Sequence, residues 1–168
     1  LKEMAEEQIP EIKELHVMRP DFRSPLVRLE DGTLFEEKNF AYIGTSWLTR
    51  FDYEIIEGSI EAFNEDKYSI ALTAEQAQKY FGTADALGKS VELYENTHTV
   101  NLIIAQNLSN SSFQFDAYLP LASYWQDQAA YEADYNSGNY NYITFADLNE
   151  ESSKEQIQTQ LASLLNQY

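Results

Sequence analysis

Residues 69–82, which read SIALTAEQAQKYFG, decide the fold. The first four residues form a short apolar strand, and a helical pattern follows without a linker. Thr73 stands at the N-cap and Gln76 three residues later, the spacing of a capping box in which two backbone donors are satisfied reciprocally. Gly82 stands where a left-handed C-terminal cap is needed. The segment therefore predicts a strand that runs directly into a capped helix.

A hairpin is predicted after this unit, with strands over 91–93 and 100–104 and its turn over 95–98. The alternation of Phe113, Gln114 and Phe115 predicts a further strand that reaches Pro120. The other predicted elements are, in chain order, a helix over 1–8, strands over 12–17, 25–29 and 34–44, a short helix capped by Thr45 or Ser46, and strands over 53–57 and 140–145.

The end of the chain carries an apolar stripe at helical spacing, formed by Ile157, Leu161, Leu164, Leu165 and Tyr168. A second capping box over 152–155 precedes it, which predicts a terminal helix. Between 125 and 139 the composition favours a mobile helix or loop. Strands and helices interleave irregularly along the chain, so the fold class is predicted to be α+β.

Composition excludes several classes of protein. The chain has 168 residues with 11 Lys+Arg against 28 Asp+Glu, a formal charge of −17, which would repel nucleic acid and anionic lipid. Its 43% apolar content argues against disorder. It has no cysteine, which removes disulfides and thiolate metal sites. Because it begins at Leu1 and has no apolar run near 20 residues, we expect a soluble piece of a longer protein.

No motif predicts catalysis, a cofactor or a metal site. His16 and His98 lack the spacing of zinc ligands, and the serines lack a nucleophile-elbow pattern. Gly88-Lys89-Ser90 resembles the end of a phosphate loop, but Thr83 stands where that loop needs glycine. Adjacent carboxylates, as at 36–37, 65–66 and 150–151, are expected to form solvated faces.

Tyrosines in a polar segment are the candidate contact residues. Tyr131 and Tyr135, near Asn and Ser residues, could form an amphipathic surface for a partner. The alternative is that these rings pack in a core or a loop. Tyr140 and Tyr142 would share one face of a strand, which favours the core for that pair.

An ordered series of short motifs carries a family resemblance. The series is FDYEIIEG at 51–58, SIALT at 69–73, AQKYFG at 77–82 and LGK at 87–89, followed by a polar turn and an aromatic strand over 108–116. It resembles the MacB-like periplasmic core domain of ABC transporter permeases, particularly the FtsX/MacB-type permeases common in Bacteroidetes. The chain departs from that family at 100–105, where VNLIIA replaces a valine-rich run into glycine.

The resemblance implies two small lobes: a porter-like βα lobe over 1–64 and 137–168, and an inserted sabre-like lobe over 65–136. It implies a periplasmic position on a membrane-attached permease, between its first and second membrane helices. The implied partners are a cytoplasmic ATP-binding subunit and either a second permease copy or a periplasmic adaptor. It assigns no catalytic residue and no cofactor.

Three functional hypotheses follow. The leading hypothesis is a non-catalytic extracytoplasmic domain that transmits motion driven by cytoplasmic ATP hydrolysis to export or signalling at the outer face. The alternative is an extracytoplasmic binding module that captures a peptide, lipoprotein or sugar through residues 131–142. An acidic hydrolase is the third, although no carboxylate pair stands out as its site.

Overall fold

The computed structural model describes residues 2–106, 110–125, 128–136 and 141–165. The strands in these ranges are β1 (Ile12–Pro20), β2 (Leu26–Leu29), β3 (Leu34–Glu36), β4 (Phe40–Ile43), β5 (Ile55–Gly58), β6 (Ser69–Thr73), β7 (Ser90–Leu93), β8 (Asn96–Ile104), β9 (Ala117–Pro120) and β10 (Ile143–Leu148). The helices are α1 (Lys2–Gln8), α2 (Trp47–Arg50), α3 (Ile60–Glu65), α4 (Ala74–Phe81), α5 (Gln128–Asn136) and α6 (Lys154–Leu165), and a short 3₁₀ turn covers Leu121–Ser123.

All ten strands belong to one mixed sheet in the order β10-β1-β4-β9-β6-β8-β7-β2-β3, with β5 paired to β8. β4 and β9 run parallel, as do β6 and β8, and the other pairs are antiparallel. This arrangement confirms the predicted α+β class. Within the described residues, no helix is long and apolar enough to cross a membrane.

The sheet is apolar on both faces, because side chains alternate along each strand. In β4, Phe40 and Tyr42 belong to one buried cluster, and Ala41 and Ile43 belong to the other. The first cluster is closed by α4, through Ala77 and Tyr80. The second is closed by α2 and α3, through these side chains: Trp47, Leu48 and Phe63.

A third cluster joins the first and last helices. Ala5 and Ile9 lie at α1, Ile12 and Leu15 lie in β1, and Leu164 lies in α6, all of them buried together. The carboxylate of Glu6 also accepts a hydrogen bond from the Leu15 backbone N–H at 2.8 Å. The two helices are therefore packed against each other and against the same strand.

The unit at 69–82 forms as predicted, with one difference. The Gln76 N–H donates to Thr73 Oγ1 at 3.2 Å, and Gly82 closes the helix in the left-handed region with φ +67°. The Thr73 N–H, however, donates to the carbonyl oxygen of Asp116 at 3.0 Å. The second hydrogen bond of a capping box would run from the Thr73 N–H to the Gln76 side chain. Here the Thr73 N–H instead bonds the residue that precedes β9.

The hairpin turn was predicted wrongly. β7 and β8 pair from Leu93 and Asn96 onward, so the turn is Tyr94-Glu95, with φ +51° and +65°. His98 consequently lies inside β8, where it is buried. The strand predicted from Phe113 to Pro120 forms only over its last four residues, as β9 (Ala117–Pro120), and residues 113–115 precede it.

Helix starts differ from the predictions at three places. Ser46 stands at the N-cap of α2 without a side-chain capping bond. The short helix α3 was not predicted; Ser59 caps it by accepting from the Ala62 N–H at 3.1 Å. At α6 the capping hydroxyl belongs to Ser153, which accepts from the Gln156 N–H at 3.4 Å.

The predicted stripe of α6 is present at Ile157 and Leu164, which are both buried. The Leu165 side chain and Tyr168 lie outside the described residues, as does Tyr140. The last strand begins at Ile143 rather than at residue 140. The two-lobe boundaries stay a prediction. β4 from the first predicted lobe pairs directly with β9 from the second.

Candidate functional site: the arginine–tyrosine junction

Charged and aromatic side chains meet on one face of the sheet where β1 ends beside the beginning of β4. Arg19 of β1 is the cross-strand partner of Tyr42 of β4, so both side chains point to the same face. We call the surrounding group the arginine–tyrosine junction; its members are Arg19, Asp21, Arg23, Tyr42, Tyr94, Tyr124 and Tyr142.

Asp21 and Arg23 form the ionic part of the junction. Arg23 Nε donates to Asp21 Oδ1 at 2.9 Å, and Arg23 Nη2 donates to Asp21 Oδ2 at 3.2 Å, a bidentate pair. Arg23 Nη2 also donates to the Tyr42 hydroxyl at 3.0 Å, and the Tyr94 hydroxyl donates to Asp21 Oδ2 at 2.6 Å. The Asp21 side chain is 0% exposed, so this network compensates a buried carboxylate.

The tyrosines of this network stay neutral. Burial raises the pKa of Tyr42 to about 12, with a further contribution from the Asp21 charge. Burial and the hydrogen bond to Asp21 raise the pKa of Tyr94 well above its usual range. Both hydroxyls therefore remain hydrogen-bond donors at physiological pH.

Both arginines also lie over aromatic rings. Arg19 Cζ is 3.9 Å from the centroid of the Tyr124 ring and 6.0 Å from that of Tyr142. Arg23 Cζ is 3.9 Å from the centroid of the Tyr94 ring. These distances are within the range of cation–π attraction. The junction is thus a chain of alternating rings and guanidinium groups.

The same chain continues to α5. Trp125 packs edge to face on Tyr131 with centroids 5.0 Å apart, and its indole N–H donates to Asp134 Oδ2 at 3.1 Å. Asp134 also accepts from the hydroxyl of Tyr142. Of the two predicted contact residues, Tyr131 therefore packs, half-buried, beside the junction. The Tyr135 side chain lies outside the described residues, and a partner contact by either tyrosine stays a prediction.

On the opposite face, Ser46, His16 and Asp147 form a relay. Ser46 Oγ lies 2.8 Å from His16 Nδ1, and Asp147 Oδ2 lies 3.3 Å from His16 Nε2. The three residue types are those of a hydrolase triad, but the ring nitrogens are exchanged, because a triad serine bonds Nε2 and a triad aspartate bonds Nδ1. The N–H of Trp47, which would be the oxyanion donor after the serine, instead donates to the carbonyl oxygen of Gly44 at 3.1 Å. The relay therefore ties β1, α2 and β10 together.

Four aromatic rings pack together beside this relay, and one of them, Phe51, meets the His16 ring edge to face with centroids 6.3 Å apart. Trp47 and Phe51 have centroids 4.4 Å apart, and Phe113 lies 5.3 Å from Trp47. Phe145 of β10 lies 5.3 Å from Phe51 and 5.8 Å from Phe113. Rings from three separate parts of the chain thus interlock on the second face of the sheet.

Metal coordination has no candidate among the described residues, where no group of three or more His, Asp or Glu side chains could hold an ion. His16 is engaged in the relay, and His98 is buried beside Tyr68 with ring centroids 5.8 Å apart. The two histidines lie in different strands and do not meet.

The junction was not predicted from the sequence. Arg19, Asp21 and Arg23 follow the end of a predicted strand, and nothing in their spacing indicates aromatic partners. Tyr94 and Tyr124 come from more than seventy residues further along the chain. The sequence offered only one signal, three charged residues at alternate positions after a predicted strand. This pattern is common on solvent-exposed surfaces.

These features define a class: an α+β domain with one mixed sheet and helices on both faces. The chain belongs to the family of MacB-like periplasmic core domains, whose family model matches residues 2–164. This confirms the resemblance drawn from the sequence motifs. Membership identifies a domain of the kind found in MacB-like and FtsX-like ABC transporter permeases.

Solved structures share the fold. A domain of a putative permease from Porphyromonas gingivalis superposes with a TM-score of 0.81 at 23% identity, covering 99% of this chain and 75% of that one. The periplasmic region of MacB from Actinobacillus actinomycetemcomitans has a TM-score of 0.69 at 15% identity, covering 99% and 71%. The extracellular domain of the noncanonic ABC-type transporter YknZ from Gram-positive bacteria has a TM-score of 0.59 at 17% identity, covering 99% and 82%. A search of curated proteins found no match.

Proposed function

We propose that this chain is a non-catalytic domain on the periplasmic side of the bacterial inner membrane, within an ABC transporter permease. Its role is to transmit conformational change, driven by ATP hydrolysis on a cytoplasmic subunit, to export or signalling at the outer face. A second permease copy or a periplasmic adaptor would receive that change. Family membership and the packing of α1 on α6 support this role.

The helix pair is the observation that carries the proposal. α1 and α6 share one buried cluster with β1, through Ile9, Leu15 and Leu164. In the proposed permease, the chain continues from these helices into the membrane. Because interiors are close-packed and resist compression, a displacement of the pair moves β1 with it.

Two routes lead from β1 into the rest of the molecule. One passes through the backbone hydrogen bonds of the sheet, from β1 to β4 and on to β9. The other passes through Arg19 and Tyr124 to Trp125 and α5. We further propose that the lobes predicted over 1–64 with 137–168, and over 65–136, meet at this junction.

Removal of the domain tests the role. In the complete permease, deletion of residues 2–164 should leave ATP hydrolysis by the cytoplasmic subunit in place and abolish the export or signalling response. Both are measured in the same membranes. Normal export or signalling after the deletion would refute the proposal.

A point variant tests the route through the helix pair. Leu164→Ala opens a cavity in the cluster between α1, α6 and β1, so the outer response should fall while ATP turnover continues. Leu29→Ala is the matched control, because Leu29 is also buried but lies in β2, near the far edge of the sheet. Equal loss of response in both variants would show general destabilisation instead of lost coupling.

A further inference from the structure

β10 forms one edge of the sheet, because within the described residues its single strand neighbour is β1. All residues of β10 except Asp147 are exposed. They include three large apolar side chains, Ile143 at 38%, Phe145 at 40% and Leu148 at 37% exposure. An exposed apolar edge strand is a template for pairing with a further strand.

The opposite edge of the sheet is protected against such pairing. β3 has only three residues, and residues 36–38 at its end are all charged. Short strands and charged side chains are the usual means of blocking an edge. β10 has six residues and contains no Lys, Arg or Pro. Its one charged side chain, that of Asp147, bonds to His16 and to Arg50. The protective features of β3 are therefore missing from β10.

The backbone of β10 also has groups that point away from the sheet. In β1, the carbonyl oxygen of Val17 accepts from the N–H of Gly44, so the backbone groups of Val17 face the β4 side. The cross-strand partner of Val17 is Thr144, which therefore lies in a non-hydrogen-bonded pair with its own N–H and C=O directed to the open side. Ala146 has the same orientation, and Phe145 between them bonds to β1. Both Thr144 and Ala146 are exposed.

Helix α6 runs back along β10 after the strand ends. At the start of α6, Gln156 Nε2 donates to Glu11 Oε1 at 2.8 Å, and the Asn149 N–H at the end of β10 donates to the carbonyl oxygen of the same Glu11 at 2.9 Å. Near the other end of α6, Leu164 packs on Leu15, further along β1. The helix is therefore antiparallel to β10, as the helix of a crossover between parallel strands must be.

The handedness of chain connections indicates where a strand after α6 would lie. α6 and α4 cover the same face, since Leu15 lies four residues from Arg19, which shares that face with Tyr42 of the first cluster. β6 and β8 are parallel neighbours joined through α4, and such crossovers are almost always right-handed. β10 runs opposite to β6, because three of the four strand pairs between them are antiparallel. The same hand on the same face therefore carries the chain the other way along the strand order, to the open side of β10.

We propose that the segment following Tyr168 in the complete permease forms a strand parallel to β10 and pairs with its open edge. Thr144 and Ala146 supply the backbone donors and acceptors, and apolar side chains at alternate positions of the new strand cover Phe145 and its exposed neighbours. The three solved relatives extend beyond the portions that this chain covers. The proposal rests on the proposed function in one respect, that the chain belongs to a longer permease. Movement of a membrane helix beyond this strand would enter the sheet through backbone hydrogen bonds.

Amide hydrogen exchange followed by NMR tests this pairing. Two chains are compared: the 168-residue chain, and the same chain extended by its native residues up to the next apolar run of about 20 residues. The amides of Thr144 and Ala146 should exchange roughly a hundredfold more slowly in the extended chain, because they become hydrogen-bonded. The amide of Phe145 is the internal control, since it bonds to β1 in both chains.

Proline variants separate this pairing from general stability. Ala146→Pro removes an outward N–H and no bond to β1, so it should lower the thermal midpoint of the extended chain by about 3 °C more than that of the 168-residue chain. Leu34→Pro is the matched control at the other edge. Leu34 has the corresponding outward position in β3, because its neighbour Thr33 is the residue that bonds to Leu29. This variant should affect both chains equally.

Fast exchange of Thr144 and Ala146 in the extended chain would overturn the proposal, as would a membrane span that begins directly after Tyr168. Protection in the extended chain that disappears on dilution would assign the edge to a second copy, which also overturns it. An equal effect of Ala146→Pro on both chains would do the same. The exchange measurement uses neither nucleotide nor membrane, so its failure is distinguishable from a failure of the transmission role.

Discussion

Among the glycines that the structure describes, Gly58 leaves the least room for an added Cβ. It ends β5 with φ +86°, and an added Cβ would lie 2.2 Å from the carbonyl oxygen of Asn101. That oxygen belongs to β8, so the clash cannot be relieved by a side-chain rotation. We expect Gly58→Ala to lower the free energy of unfolding by about 3 kcal/mol or more, measured by urea denaturation.

Gly82 is the control for this prediction. It also has a positive φ, of +67°, but nothing lies within 4 Å of an added Cβ. Gly82→Ala should therefore lower the free energy of unfolding only by the cost of holding alanine in the left-handed region, roughly 1–2 kcal/mol. Equal losses in the two variants would show that the contact with Asn101 is unimportant.

His98 makes stability depend on pH. Burial lowers its pKa, because the charged form loses its hydration inside the protein. The unfolded chain then binds a proton that the folded chain does not, so stability is fully present above the unfolded pKa of about 6.5 and falls as the pH decreases toward the lowered folded value.

Denaturation at pH 7.5 and pH 5.5 checks this effect. The native chain should lose more stability between these values than His98→Gln, in which the titrating group is absent. The difference between the two chains isolates His98 from the many carboxylates. Parallel pH profiles would contradict the assignment.

At the scale of elements, local signals explain what could be predicted. β6 and α4 follow from the apolar run, from Thr73 and from Gly82, all within fourteen residues. The turn at Tyr94 could not be predicted, since that residue type disfavours positive φ. Its hydroxyl is held by Asp21, 73 residues away in the sequence.

The arginine–tyrosine junction also could not be predicted, because its residues are distant in the sequence. Arg19 and Tyr42 become neighbours only when β1 pairs with β4, and Tyr124 reaches them after β9 has joined the sheet. Each contact depends on the completed strand order. Sequence spacing therefore indicates the strands and leaves the partners of their side chains undetermined.

A substitution in the turn between β7 and β8 should increase the stability of the protein. Glu95 is exposed and has φ +65°, in a two-residue turn where glycine is favoured. Glu95→Gly should remove the strain while losing some chain entropy, for a net gain of about 0.5–1 kcal/mol in unfolding free energy.

Urea denaturation measures that gain. Glu36→Gly is the control, because Glu36 is exposed in β3, where glycine should lower stability by about 0.5–1 kcal/mol. A loss of stability in Glu95→Gly would show that the turn is not strained at this position.

At the scale of the whole molecule, one sheet joins the helix pair α1 and α6 to the far edge at β3. Apolar clusters on both faces keep this sheet from bending freely. The formal charge of −17 would repel anionic lipid headgroups, which favours a domain that stands away from the membrane surface. A domain that resists bending in this way is suited to the transmission of movement.

The most direct test measures that movement. The chain has no cysteine, so Leu26→Cys, at an exposed site in β2, gives a single labelling position within this domain. The complete permease is placed in lipid nanodiscs with acceptor dyes on the headgroups, and energy transfer from the label is compared with ADP and with ATP plus vanadate. We predict a change in transfer between the two nucleotide states that disappears with a hydrolysis-deficient ATP-binding subunit. Identical transfer in both states would contradict the proposed role.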